Sequence, residues 1–100
     1  MYYGTVTVTT IPGKRFAAIE HLKKLAKLSS EMYGVPTEVL GNGTGPIYKC
    51  HVVSKYQNMA QLDETNKKLL ADPAFQEWFQ AGEGLIAWQD ARRDLYEVFE

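Results

Sequence analysis

Between Thr10 and Lys14 the chain changes its hydrophobic period, and this switch restricts the folds open to it more than any other feature. Residues 2–10, YYGTVTVTT, alternate. Val6 and Val8 share one face and Tyr3, Thr5, Thr7 and Thr9 the other, the pattern of a half-covered strand. Ile11-Pro12-Gly13 stops the strand, because proline donates no ladder hydrogen bond and glycine loosens the backbone. From Lys14 to Tyr33 the spacing is helical. Phe16, Ile19, Leu22, Leu25, Ala26, Ser29, Met32 and Tyr33 form one stripe, with Glu20, Lys23, Lys24, Lys27 and Glu31 opposite. Gly34 is placed as a left-handed C-terminal cap, and Pro36 prevents continuation.

The remaining elements follow from the same kind of reading. Thr37–Leu40 and Ile47–Tyr56 read as strands around Gly41-Asn42-Gly43-Thr44-Gly45-Pro46, with Asn42-Gly43 as a hairpin signal because both residues tolerate positive φ. A phosphate cradle is disfavoured, since this glycine-rich loop feeds a strand and not a helix N-terminus. Asn58-Met59-Ala60-Gln61 resembles a capping box opening a helix to about Ala71, with Met59, Leu62, Leu69 and Leu70 on its apolar side. Asp72-Pro73 restarts the helix as cap and first turn. Phe75, Trp78 and Phe79 then form an aromatic ridge that ends at Gly82 and Gly84. Arg92–Phe99 reads as a last strand with both faces partly covered. The order strand, helix, strand, strand, helix pair, strand is the split βαβ, or ferredoxin-like, arrangement. It is an α+β domain over residues 1–100 whose antiparallel sheet carries helices on one face, with the first and third strands central.

Composition narrows the function classes. With 45% hydrophobic and 23% charged residues in 100, the chain suits one globular domain and neither a disordered tail nor a coiled coil. No apolar run approaches the ~20 residues of a membrane span, and Met1-Tyr2-Tyr3-Gly4 does not open as a signal peptide, so a cytoplasmic protein is expected. Eleven basic against twelve acidic residues leave no electrostatic footprint for nucleic acid. Cys50 is alone, which rules out an internal disulfide and a thiolate metal cage.

Few residues carry chemistry. His51 shares a strand face with Lys49, Val53 and Lys55, and registry places it near the row Thr5, Thr7 and Thr9. It is the candidate general acid or base, against a hydrogen-bonded interface histidine. His21, on the flank of the first helix near lysines, reads as a partly exposed structural residue. Cys50 points to the opposite side of its strand, with Tyr48, Val52 and Tyr56, and reads as a buried reduced thiol. Tyr2, Tyr48, Tyr56, Tyr96, Phe75, Trp78, Phe79 and Trp88 serve either a core or an apolar pocket between sheet and helices. In the pocket reading Tyr48, Tyr56, Trp78, Trp88 and Tyr96 bind a hydrophobic or aromatic small molecule. Neither histidine pairs with another ligand at i,i+4, so no metal site is expected.

The length, the element order, Asp72-Pro73-Ala74-Phe75-Gln76-Glu77-Trp78-Phe79 and Arg92-Arg93-Asp94-Leu95-Tyr96-Glu97-Val98-Phe99 together resemble the dimeric α/β-barrel superfamily. That superfamily contains NIPSNAP-type and antibiotic-biosynthesis-monooxygenase-like proteins. The resemblance implies a homodimer in which two ferredoxin-like sheets pair face to face. Members include cofactor-free oxygenases, haem-degrading enzymes, cyclases, isomerases and proteins of no known activity. For the Asn, Trp and Tyr or His set of the oxygenase branch, Asn58, Asn66, Trp78 and Trp88 are available but do not align with that branch's places, and no axial haem ligand transfers. Two expectations follow. One is a cofactor-free homodimeric enzyme, monooxygenase, cyclase or isomerase-like, with His51 as base. The other is a non-catalytic dimeric module that binds a small molecule or a partner. A closed pocket containing both His51 and the aromatic donors distinguishes the first.

Overall fold

The alternating segment forms β1 (Tyr2–Thr10) and the amphipathic one α1 (Arg15–Tyr33) in the computed structural model of the protein, which describes residues 1–99. They are followed by β2 (Thr37–Gly41), β3 (Lys49–Tyr56), α2 (Met59–Ala71), α3 (Pro73–Ala81) and β4 (Ile86–Glu97). The sheet order is β2-β3-β1-β4, antiparallel throughout, with β1 and β3 central as the element order requires. This is the expected α+β, ferredoxin-like topology.

Registry sorts the side chains into two faces. Val6 opposes Val52 and Val8 opposes Cys50, and these residues point toward the helices. There Val8, Cys50 and Val52 pack with Ala18 and Leu22 of α1, Trp78 of α3 and Ile86 of β4. Leu22 is 1% exposed, so truncation to alanine removes a fully packed side chain at a cost of about 2–5 kcal/mol. The other face carries Thr7 opposite both His51 and Arg92, and Thr5 opposite both Val53 and Asp94. The row of threonines beside His51 and Val53 is the one the alternation of β1 anticipates.

Several boundaries differ from the sequence reading, each for a physical reason. β4 begins at Ile86, six residues earlier than expected, because its register against β1 slips between Thr7 and Thr9 and breaks the alternation across Gln89-Asp90-Ala91. The β2–β3 connection is a longer loop and not a tight Asn-Gly turn. Neither Asn42 nor Gly43 has positive φ, and Gly45 takes it instead at +84°. Asn42 ties the loop through its side chain, Nδ2 donating to the Pro46 carbonyl at 2.8 Å. The caps behave as read: Gly34 is left-handed at φ 66°, and Asp72 Oδ1 accepts from Ala74 N at 2.9 Å. Asn58 Oδ1 accepts from Gln61 N at 2.8 Å, while Gln61 reaches one residue beyond the cap, to Gln57 N at 2.6 Å.

The apolar stripe of α1 is also rotated from its expected position. Phe16 and Met32 are 79% and 63% exposed, whereas Ala18 and His21 are buried. Small Ala18 lets the helix approach the sheet, and that rotation turns His21 inward.

Candidate functional site

A cavity of about 470 Å³ lies between the helix-facing side of the sheet and the three helices. Its floor is Val6 and Val8 of β1 with Val52, Ser54 and Tyr56 of β3, and α1 contributes Leu22, Leu25 and Ser29. Its far wall is Leu62, Thr65, Asn66 and Leu69 of α2 with Phe75, Trp78 and Phe79 of α3, and Trp88, Arg93 and Leu95 of β4 close the side. Gly4 also lines it, and the reason is steric: a Cβ there would sit 3.0 Å from the Tyr56 ring, so the absent side chain gives that ring its place.

The aromatic groups form a connected wall. Trp78 meets Trp88 edge-on at 6.1 Å between centroids and Phe75 in a stack at 5.7 Å, while Phe79 stacks on Trp88 at 5.2 Å. These are the offset and edge-on geometries that ring quadrupoles favour. Trp78 is anchored from behind, where its Nε1–H donates to the His21 carbonyl at 2.7 Å. Its indole therefore presents an apolar surface to the cavity with its polar handle already satisfied. A mostly apolar concavity with a few polar groups, here Ser29, Ser54, Thr65, Asn66 and Arg93, has the makeup of small-molecule sites.

His51 is elsewhere. It lies on the opposite face of the sheet, half-buried, with Nδ1 2.9 Å from Thr7 Oγ1 and Nε2 2.7 Å from Asn42 Oδ1. Because the Asn42 amide donates to Pro46, its oxygen faces the ring, so Nε2 carries the proton and Nδ1 accepts from the Thr7 hydroxyl. Lys49 Nζ donates to Thr9 Oγ1 at 2.7 Å on the same face. The histidine thus orders the β2–β3 loop onto the sheet.

Of the residues singled out in the sequence, Tyr56, Trp78 and Trp88 come together in the cavity, joined by Phe75 and Phe79. Tyr48 precedes β3 and is 44% exposed, and Tyr96, opposite Tyr3, lies on the open face at 54% exposure; neither lines the cavity. His21, read as partly exposed, is buried: it stacks on Trp78 with centroids 4.4 Å apart. Cys50 is fully buried as read, and burial pushes its thiol up, opposed by the Arg15 charge. Among the described residues, no three His, Cys, Asp or Glu side chains gather to hold a metal ion, and no helix is long and apolar enough to cross a membrane. Asn66, one of the polar residues available to an oxygenase-type set, also lines the cavity, and Thr65 and Arg93 are polar lining residues that the sequence reading does not single out. Leu62, Thr65, Asn66 and Leu69 follow i, i+3, i+4, i+7 spacing, which was a usable signal for α2. Arg93 carried no such signal.

No protein-family model matches the chain, and no curated protein matches it by sequence. Solved structures do. Protein Atu4242 from Agrobacterium tumefaciens superposes with a TM-score of 0.82 at 17% identity, over 99% of this chain and 94% of that one. An uncharacterised NIPSNAP domain protein from Burkholderia xenovorans gives 0.82 at 12% identity, over 99% and 95%. A protein described as an antibiotic biosynthesis monooxygenase gives 0.73 at 12% identity, over the whole of both chains. At such identities the likeness is one of fold. The chain has the ferredoxin-like α+β fold of NIPSNAP-domain and antibiotic-biosynthesis-monooxygenase-like proteins.

Proposed function

We propose that the protein binds a hydrophobic or aromatic small molecule in the cavity between sheet and helices. The observation that carries this reading is the continuous wall of Phe75, Trp78, Phe79 and Trp88 around a cavity of about 470 Å³, the size range of drug-sized ligand sites. The test is direct because both tryptophans of the chain line that cavity. Titration with 2-naphthol, an uncharged aromatic probe, should quench the intrinsic fluorescence saturably, and Trp88→Ala should weaken binding about tenfold. Absence of saturable quenching up to millimolar probe would defeat the reading. Mass spectrometry of compounds retained on purification would then name the natural ligand.

A second reading, cofactor-free monooxygenase, cyclase or isomerase-like catalysis, is supported by the likeness to the structure described as an antibiotic biosynthesis monooxygenase. In this reading a second copy covers the open sheet face, where Tyr3, Thr5, Thr7, Thr9 and Val53 mix methyl and hydrogen-bonding groups as a partly wet isologous interface does. His51 then sits in an enclosed seam and acts as a base there. Among the residues that line the cavity, Ser29, Ser54, Tyr56 and Thr65 carry hydroxyls, and Asn66 and Arg93 carry N–H donors. Turnover of a phenolic substrate under air, lost in His51→Ala, is the observation that would favour catalysis.

A further inference from the structure

We infer that the ligand of this cavity is an apolar or aromatic carboxylic acid, its carboxylate held at the mouth by Arg93. The inference rests on the reading of the cavity as a ligand site and adds the chemical class. Arg93 opposes Val6 across the β1–β4 ladder, and Val6 faces the helices, so the Arg93 side chain leaves the sheet on the cavity side. Its neighbours Arg92 and Asp94 leave on the other side and pair with each other at 3.0 Å. Asp94 borders the cavity as well, but this ion pair already occupies its carboxylate. Arg93 itself joins no ion pair among the described residues. The same cavity is also lined by exposed apolar side chains: Leu70, Phe79 and Leu95 are 68%, 47% and 44% exposed.

A guanidinium beside an apolar cavity, with no carboxylate of its own, calls for a ligand with a hydrophobic body and an anionic head. The planar guanidinium fork matches a carboxylate with two parallel hydrogen bonds. Asn66, across the cavity on α2, supplies both a donor and an acceptor to a further oxygen of such a ligand.

The experiment compares 4-(1-pyrenyl)butyrate with 4-(1-pyrenyl)butanol, followed by energy transfer from the two tryptophans. The acid should bind about fivefold more tightly than the alcohol, the size of a solvent-screened charge pair, and 0.5 M salt should erode the difference. Arg93→Gln should bring the acid down to the alcohol's affinity and leave the alcohol unchanged. Trp88→Ala should weaken both alike. Equal binding of acid and alcohol to the native protein, or a preference that survives Arg93→Gln, overturns the carboxylate assignment and leaves the cavity standing. Binding of neither probe overturns both.

Discussion

The imidazole of His21 lies flat on the indole of Trp78, ring centroids 4.4 Å apart and planes 7° from parallel, while the Trp78 N–H bonds to the His21 carbonyl. The pair joins α1 to α3 and sets the wall of the cavity. His21 Nε2 is buried there with no hydrogen-bond partner, against Gly82. Burial lowers the pKa of the ring below 6.5; a backbone hydrogen bond with Trp78 opposes this, and the Lys24 charge reinforces it.

Acid should therefore loosen the fold through His21. The unfolded chain takes up this proton near pH 6.5, before the folded one does, so unfolding becomes easier as pH drops below 6.5 toward the lower folded value. Urea midpoints from pH 7.5 to 5 should fall for the native protein and fall less for His21→Leu. Parallel curves for the two proteins would show that the burial of this ring has no energetic consequence.

Gly82 should resist substitution. A Cβ at this position would collide with the His21 ring, so Gly82→Ala must either displace the stacked pair or open the end of α3. The expected loss is about 1–3 kcal/mol in denaturant unfolding, typical of overpacking. Gly43, where a Cβ meets nothing within 4 Å, supplies the control: Gly43→Ala should change stability by no more than about 0.5 kcal/mol.

Tyr33 at the end of α1 donates its hydroxyl to Asp72 Oδ2, at the corner between α2 and α3. Desolvation and the neighbouring carboxylate push the phenol up to about 12, while that hydrogen bond and the Ala74 N–H hold the Asp72 carboxyl below its usual range. The unfolded tyrosine ionises first, so this contribution is whole below pH 10 and disappears as pH rises from 10 toward 12. Alkaline melts should show that loss in the native protein and less of it in Tyr33→Phe. The Asp72 share is present above its ordinary value of 3.8 and is lost as pH falls through the depressed one, so Asp72→Asn should flatten the acid limb.

On the open sheet face, the proposed dimer and the role of His51 separate cleanly. Sedimentation equilibrium at about micromolar protein should give twice 11.3 kDa, and Thr7→Arg, at the centre of the face, should give 11.3 kDa. A native protein sedimenting as the monomer would remove the dimer. His51→Ala forfeits the Thr7 and Asn42 hydrogen bonds, each worth about 1 kcal/mol net, and should lower the melting temperature by several degrees while loosening residues 42–48. Amide exchange across that loop reads the effect.

What the sequence determined by itself was the architecture. Period 2 in residues 2–10, period 3.6 in 14–33, Gly34, Asn58 and Asp72-Pro73 are local signals, and local backbone sterics and capping hydrogen bonds enforce them wherever the chain sits. The two faces of β1 and β3 followed from strand alternation alone, so the meeting of His51 with the threonine row was legible too. Tertiary structure decided the rest. Whether Phe16 or Ala18 faces the sheet depends on how closely α1 can approach it, and that rotation buried His21. Which way Arg93 points depends on the register that sets it opposite Val6, a property of two strands paired and of neither alone. The cavity is lined by partners far apart in the chain: Gly4 leaves room for the Tyr56 ring, and Trp78 is tied to a carbonyl 57 residues earlier. Such contacts are set by packing across the core, and no window of sequence contains both partners.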